Sequence, residues 1–342
     1  MLLKNLTDLN GVSGNEDKVR EFIKEQITPY ADEITVDTLG NIIAFKKGTG
    51  KSDLRIGFCA HMDEVGGIVS KITDDGFIKF KPVGGIDDRI LLSKRVVIGD
   101  NKIPGVIGIK AIHLQEDDER KKIVKQKSMY IDIGAKDKEE AETVVALGDY
   151  IAFDSEYMEM GEGKIKAKAL DDRVGCAILI EAMKHTYEND MYFCFSTREE
   201  IGIRGAGVIA YRLQLDVAFM VEGTIEAHLP FVKDYDCPTF MGRGPAVFHI
   251  DGGSISNKKL INYICGLAEE NGVSYQHRQS GAGGNDARAF TANGGSCATA
   301  VVAVPCRYIH SPVSMIDESD YKATAELVRL MAENSYKLGG IL

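Results

Sequence analysis

The sequence lacks several features that would assign it to a common class of protein. It has no run of about 18 apolar residues, the length that a helix needs to cross a bilayer. Its amino-terminal stretch turns polar too early for a secretory signal peptide. It also lacks a Cys-x-x-Cys pair. Its Gly-rich segment 280–290 lacks a Gly-x-Gly-x-x-Gly pattern and a P-loop lysine followed by Ser or Thr. We therefore expect neither a membrane span nor a thiolate zinc site nor a phosphate-binding loop.

Cysteine is scarce and odd in number, with seven residues in the chain. Most of them lie inside apolar runs such as YFCFS and GCAILI. Buried free thiols fit a reducing compartment better than a disulfide framework. The sequence therefore predicts a cytoplasmic protein.

The charge balance is acidic. The 342 residues include 41 Lys and Arg against 51 Asp and Glu, a net charge of −10. An acidic surface disfavours nucleic acid and anionic membranes as partners. Hydrophobic residues make up 44% of the chain and charged residues 27%, as in a globular protein of one large or two ordinary domains.

Two kinds of pattern alternate along the chain. In residues 1–66 and 163–342, apolar strand-like runs alternate with helical segments, which predicts an α/β domain with a largely parallel, helix-covered sheet. In residues 67–162, short β-rich segments are broken by glycine or charge. The second pattern predicts a small β-rich domain inserted into the first.

Four predicted strands of the α/β domain are followed by histidine or carboxylate side chains. In open α/β sheets, ligands bind at the carboxyl ends of the strands. A further pair of carboxylates stands just before a predicted helix. The residues concerned are His61, Asp63, Glu199, Glu200, Glu222 and His310 at strand ends, and Asp171 with Asp172 before the helix.

Each of these residues has an ordinary structural explanation when it is taken alone. Asp171 resembles a helix N-cap, His61 a partly buried histidine and Glu199 a surface residue. Taken together, two histidines and several carboxylates form the nitrogen and oxygen donor set that zinc, cobalt or manganese accepts. Because residues i and i+2 of a strand share a face, Asp63 is placed to support His61 from behind.

Several motifs resemble the tetrahedral and glutamyl aminopeptidases, family forty-two of the metallopeptidases, some of which carry an endoglucanase label. The resemblance covers nearly the whole chain, and the motifs occur in the same order. They are GVSGNED near the start, AHMDEVG at 60–66, GGID at 84–87, GVIGIKAIH at 105–113, ALDDRVG at 169–175, REEIGIRGA at 198–206, LDVAFMVEGT at 215–224 and VPCRYIHSPVSMID at 304–317.

The resemblance implies a fold, a cofactor and a role for each residue. It implies a three-layer α/β/α phosphorylase/hydrolase-like catalytic domain with an inserted PDZ-like barrel at 67–162 that serves in dimerisation. Dimers would build a homo-oligomer, in many members a tetrahedral dodecamer. Two divalent ions, Zn²⁺ or Co²⁺ with Mn²⁺ as a further candidate, would share one bridging ligand. The resemblance implies that one ion is held by His61, Asp171 and Glu222 and the other by Asp171, Glu200 and His310. It also implies that Glu199 is the general base and that Asp63 is its supporting carboxylate.

Two positions need separate comment. Many members of the family have Asp where this chain has Glu222, and in related two-metal families the acid at this position varies with the reaction. The Gly-rich segment 280–290 contains the family's GGxDA pattern, which implies that Gly284 and Asp286 lie beside the substrate. The alternative for this segment is a loop capped by Asn285 or Asp286 before a helix.

The predicted reaction is removal of the amino-terminal residue of a peptide by a metal-activated water. The residues alone support only a two-metal hydrolase, and the aminopeptidase specificity comes from the resemblance. Glu222 keeps a deacetylase or carboxypeptidase on the same fold as an alternative. A metal-independent glycoside hydrolase with two carboxylates and a non-enzymatic assembly protein are further alternatives.

Overall fold

The structure is a computed structural model that describes residues 2–50, 54–279, 283–293 and 295–341. The α-helices of these residues are α1 (Leu2–Asp8), α2 (Asp17–Ile27), α3 (Asp117–Arg120), α4 (Lys138–Glu142), α5 (Leu170–Ala182), α6 (Arg204–Leu213), α7 (Lys258–Glu270), α8 (Ala287–Asn293) and α9 (Glu318–Glu333). Within these ranges, no helix combines the length and the apolar character that crossing a membrane requires.

The strands form one large sheet and one closed barrel. In chain order they are β1 (Glu33–Val36), β2 (Ile42–Lys46), β3 (Ile56–His61), β4 (Gly66–Ile72), β5 (Ile78–Val83), β6 (Arg95–Ile98), β7 (Ile103–Gly108), β8 (Tyr130–Asp132), β9 (Tyr150–Phe153), β10 (Met158–Met160), β11 (Lys164–Ala167), β12 (Met191–Ser196), β13 (Val217–Glu226), β14 (Ala246–Phe248), β15 (Gln276–Arg278), β16 (Ala298–Arg307) and β17 (Ser314–Asp317).

The large sheet has a parallel centre with antiparallel edges. Its order is β1-β2-β12-β3-β13-β16-β17-β11-β10, and β14 pairs with β16 and with β15. The neighbouring strands β12, β3, β13 and β16 run parallel to one another. Their carboxyl ends therefore open at one edge of the sheet, which is where ligands bind in this architecture.

Helices cover both faces of this sheet, because the side chains of each central strand alternate between two apolar cores. In β3, Phe58 and Ala60 join the core beneath α1, α2, α5, α7 and α9, whereas Cys59 joins the core beneath α6 and α8. In β12, Phe193 belongs to the first of these cores and Cys194 to the second. The arrangement is a three-layer α/β/α sandwich.

A separate barrel is inserted between β3 and β11. Its six strands close in the order β4-β5-β8-β7-β6-β9 around a third apolar core. The predicted fold class, an α/β sandwich with an inserted β-rich barrel, is confirmed. Strand β10 lies inside the predicted range 67–162 but pairs with β11 of the large sheet. The domain boundaries themselves stay a prediction.

Candidate metal centre and active site

The four parallel central strands carry the predicted ligands to one edge of the sheet. His61 is the last residue of β3 and lies beside Ser196, the last residue of β12. Glu199 and Glu200 follow β12, and His310 follows β16. Because these strands are neighbours, residues that are far apart in the sequence meet in one cluster.

The prediction that Glu222 stands at a strand end was wrong. Glu222 lies inside β13, which continues to Glu226. The strand is longer because residues Gly223 to Glu226 remain paired with Val304 to Arg307 of β16. The Glu222 side chain nevertheless reaches the cluster, with Oε2 3.8 Å from His61 Nε2.

Asp171 lies between the two histidines. Its Oδ1 is 3.2 Å from His61 Nε2, and its Oδ2 is 3.4 Å from His310 Nε2. A carboxylate that presents one oxygen to each of two imidazole groups has the arrangement of a ligand shared between two cations. Glu200 completes this side of the cluster, with Oε2 3.5 Å from His310 Nε2.

The neighbouring Asp172 has a structural role. Helix α5 begins at Leu170, yet Asp171 and Asp172 have non-helical backbone angles and a cis peptide bond joins them. Asp172 Oδ1 accepts the backbone N–H of Gly175 and Oδ2 accepts that of His61. The capping role that an Asp before a helix usually has therefore belongs to Asp172, which leaves Asp171 facing the histidines.

Donor atoms are close enough to hold cations. One donor atom from each of His61, Asp171 and Glu200 lies within 4.8 Å of the others, as does one from each of His61, Asp172 and Glu222. These two groups differ from the two ligand sets that the resemblance implies. Glu222 Oε1 is buried and has no hydrogen-bond partner. A buried carboxylate oxygen without a partner is costly unless a cation or donor satisfies it. The donor set of imidazole and carboxylate fits Zn²⁺, Co²⁺ or Mn²⁺.

Asp63 connects the cluster to the loop after β12. It is fully buried, and its two oxygens accept the backbone N–H groups of Glu199 and Glu200 at 3.0 and 3.1 Å. Its Oδ1 is also 3.4 Å from His61 Nδ1. The hydroxyl of Ser13 donates to Oδ2 as well. Asp63 therefore orients His61 and Glu199 at the same time, and Ser13 holds Asp63 in turn.

Burial and crowding shift the pKa values of the acids in the cluster. Burial, with Asp286 and Glu200 nearby, raises the pKa of Glu199 well above its usual range. Burial also raises the pKa of Glu200 to about 8. The pKa of Asp171 is lowered instead, because its hydrogen bonds to His310 and His61 outweigh the effect of its burial. A bound cation would relieve the repulsion between these crowded carboxylates.

A cavity of about 680 Å³ opens above the cluster. His61, Asp171, Glu199, Glu200, Glu222 and His310 line one end of it, and its remaining walls include Thr224, Phe248, Asp251, Arg278 and Arg288. This size suits a small ligand or the end of a peptide.

The two predicted substrate contacts have different positions. Gly284 lines the cavity. Asp286 is fully buried below it, where its Oδ2 accepts the Ser196 hydroxyl and the Cys59 thiol. Asp286 therefore supports the site from beneath in this structure, and its direct contact with a substrate stays a prediction. Residues 280–282 of the same predicted loop lie outside the described residues.

Comparison with known proteins gives a consistent result. A family model described as M42 glutamyl aminopeptidase matches residues 40–327. A putative aminopeptidase of Acetivibrio thermocellus is 37% identical over 329 residues, which cover 96% of each chain. A lysyl aminopeptidase of Pyrococcus furiosus is 31% identical over 341 residues, covering 97% of this chain and 96% of the relative.

A solved structure extends the likeness to the fold. The Pyrococcus horikoshii TET1 peptidase, described as assembling into a tetrahedron or a large octahedral shell, superposes with a TM-score of 0.86. Its sequence is 33% identical, and the match covers 97% of this chain and 98% of that one.

Proposed function

This chain belongs to the M42 glutamyl aminopeptidase family, and on that premise we propose that it removes amino-terminal residues from peptides with two divalent metal ions. The family makes it a metal-dependent aminopeptidase. The single observation that carries the two-metal proposal is the position of Asp171, with one carboxylate oxygen near His61 and the other near His310.

The ligands divide into two sets that share Asp171. His61 and Glu222 would hold one ion with it, and Glu200 and His310 would hold the other. Zn²⁺ and Co²⁺ suit these donors, and Mn²⁺ is a further candidate. A pair of such ions supplies polarisation of the scissile carbonyl and a lowered pKa for the attacking water.

Glu199 acts as the general base in this proposal. Its side chain lines the cavity beside the cluster, and its backbone is fixed by Asp63. The carboxylate takes the proton of the attacking water and later gives it to the leaving amine.

The free amino terminus of the substrate is recognised at the same end of the cavity. The acidic side chains there, including Glu199, Glu200 and Glu222, favour a positively charged group. A peptide bound by its amino terminus places its first peptide bond at the cluster, which limits cleavage to the first residue.

A homo-oligomer follows from the likeness to the TET1 peptidase. We propose that the inserted barrel, predicted at 67–162, forms a dimer and that dimers assemble into a tetrahedral dodecamer. We also propose a cytoplasmic location. Its support is that the cysteines are all free and six of the seven are buried.

The decisive experiment measures metal content and activity together. The purified chain is assayed with a panel of aminoacyl-p-nitroanilides before EDTA treatment, after it, and after addition of Zn²⁺, Co²⁺ or Mn²⁺. We expect two ions per chain, loss of activity on chelation and recovery on reloading. Activity toward these substrates that survives chelation would refute the two-metal proposal. The glycoside hydrolase alternative instead predicts activity on aryl glycosides that survives EDTA. Turnover of N-acetylated amino acids alone would favour a deacetylase.

A further inference from the structure

The turn that carries Glu199 and Glu200 is held in place by side chains. It comprises residues Thr197 to Glu200, directly after β12, and Arg198 within it adopts a left-handed backbone conformation with φ of 57°. Each of the four backbone N–H groups of this turn donates to a side chain from a distant part of the sequence. The position of the turn therefore depends on where those side chains lie.

Three buried residues supply the acceptors. In order from Thr197 to Glu200, they are Asn41 Oδ1 at 2.8 Å, Glu16 Oε1 at 3.2 Å, and Asp63 Oδ1 and Oδ2 at 3.0 and 3.1 Å. None of the three side chains belongs to a residue that is more than 2% exposed. Glu16 lies in the GVSGNED motif at 11–17, to which the proposed function gives no role.

The position of Glu16 at the start of a helix does not explain its burial. It directly precedes α2, where a polar side chain usually caps the helix. Its side chain makes no such capping bond. Instead, Oε1 accepts the backbone N–H of Gly14 at 2.7 Å and that of Arg198, which is 182 positions away. The Glu16 carboxylate thus connects the GVSGNED segment to the turn after β12.

The GVSGNED segment is itself anchored to the loop that follows β3. The backbone N–H of Gly11 donates to Glu64 Oε1 at 2.8 Å, and that of Ser13 donates to the Glu64 carbonyl at 3.1 Å. The Ser13 hydroxyl donates to Asp63. One segment therefore contacts both the loop beside His61 and the turn that carries Glu199, and it is fixed well enough to hold the turn in place.

We propose that Glu16 is a positioning residue for the general base, because its carboxylate fixes the turn from which the Glu199 side chain reaches the active-site cavity. The inference rests on the proposed function, since Glu16 acts through Glu199. A general base must lie within hydrogen-bond reach of the proton that it takes, and a displacement of about 1 Å can lower the rate about a hundredfold.

The alternative is that Glu16 only stabilises the fold. The carbonyls of Thr197 and Glu199 accept the N–H groups of Gly205 and Ile203 at 2.9 and 2.8 Å, so the turn keeps backbone bonds that do not involve Glu16. Loss of the Glu16 acceptor should therefore displace the turn without unfolding it. A stabilising residue would change the free energy of unfolding alone, whereas a positioning residue would change kcat in the folded enzyme.

The test compares Glu16→Met, which removes the acceptor at similar side-chain length, with Glu16→Gln, whose amide oxygen can still accept both N–H groups. Both are loaded with metal and assayed on an aminoacyl-p-nitroanilide well below the unfolding temperature. For Glu16→Met we expect kcat to fall at least about tenfold and KM to stay near the wild-type value. Glu16→Gln should recover most of kcat. Elemental analysis should find the wild-type metal content in both variants.

Asp320→Leu is the matched control. Asp320 is also a buried carboxylate that accepts two backbone N–H groups, those of Gly242 and Gly244, but it does not line the cavity. Its substitution should lower the free energy of unfolding and leave kcat unchanged. The same loss of kcat in Asp320→Leu and Glu16→Met would show a general effect of removing a buried acceptor and would overturn the inference.

Glu16→Asp covers the case in which Glu16→Met does not fold. It keeps the charge but shortens the side chain by one methylene group, so kcat should again fall. Wild-type kcat in Glu16→Met, or in Glu16→Asp if the first variant does not fold, would overturn the inference. So would a kcat of Glu16→Gln no higher than that of Glu16→Met. These outcomes leave the aminopeptidase assignment intact, whereas a metal-loaded wild type that turns over no aminoacyl substrate would refute the proposed function and the inference with it.

Discussion

His61 and Asp171 are 110 positions apart in the chain, yet His61 Nε2 lies 3.2 Å from Asp171 Oδ1. The other oxygen of Asp171 faces His310. The two histidines belong to different proposed ion sites, so the Asp171 side chain connects the two sites. Its substitution should therefore affect both ions at once.

Asp171→Asn should lower the metal content below two ions per chain and reduce kcat by at least about a hundredfold, because an amide is a neutral and poorer ligand for a divalent cation. Elemental analysis and a stopped aminopeptidase assay measure the two effects. Asp154→Asn is the control, because the Asp154 side chain forms an exposed ion pair with Arg95, far from the cluster in the sequence and weak in energy. Full metal content in the Asp171 variant would contradict the bridging role.

Glu199→Gln should separate metal binding from proton transfer. We expect unchanged metal content and a kcat about 10² to 10⁴ times lower, since an amide cannot take the proton of the attacking water. Isothermal metal titration and steady-state kinetics would show both. Wild-type activity in this variant would mean that another group is the base.

Ser13→Ala should weaken the site without removing a ligand. The Ser13 hydroxyl donates to the fully buried Asp63, and a hydrogen bond to a charged group contributes about 1.5–3 kcal/mol. We expect a lower free energy of unfolding by about this amount and a reduced kcat. Ser155→Ala is the matched control, because the buried Ser155 hydroxyl has no hydrogen-bond partner among the described residues. Equal effects of the two variants in urea denaturation would exclude a specific role for Ser13.

Asp320 and Asp317, at the start of α9, should give opposite pH dependences of stability. Burial raises the pKa of Asp320 to about 6, although it accepts the N–H groups of Gly242 and Gly244. Its contribution to stability is therefore full below pH 4 and is lost as the pH rises through 6. The difference in unfolding free energy between wild type and Asp320→Asn should shrink by about 1–2 kcal/mol from pH 4 to 7.

Asp317 serves as the internal control of that experiment. It is buried, but its ion pair with Lys164 and its bonds to Ser319 outweigh burial and lower its pKa. Its contribution is present above pH 4 and is lost as the pH falls further. Asp317→Asn should therefore lower the free energy of unfolding most near neutral pH. The free energy of unfolding of both variants is measured by chemical denaturation at several pH values. EDTA is present so that metal binding does not contribute. The same pH trend in both variants would contradict the opposite pKa shifts of Asp317 and Asp320.

Much of the candidate site could be predicted from the order of residue types along the chain. His61, Glu199 and His310 each follow an apolar strand, and parallel strands deliver such residues to one edge. The fold class also follows from the alternation of strands and helices. Residue spacing identified Asp171 only as one of two adjacent acids, and it was the family resemblance that favoured Asp171 over Asp172 as the shared ligand.

Other features depend on contacts that no local pattern encodes. The length of β13 past Glu222 depends on its pairing with β16, and the burial of Asp286 depends on how α8 packs against Cys59 and Ser196. Arg278 meets Thr224, 54 positions away, because β14 and β15 are joined to the sheet beside β16.

The sequence by itself determined the strands, the helices and the chemical types gathered at the strand ends, because apolar periodicity and residue chemistry are local properties. The tertiary structure alone decided which carboxylate oxygens meet which histidines and which arginines line the cavity. These choices depend on the order of strands in the sheet and on the register between them, and both are set by packing between distant segments.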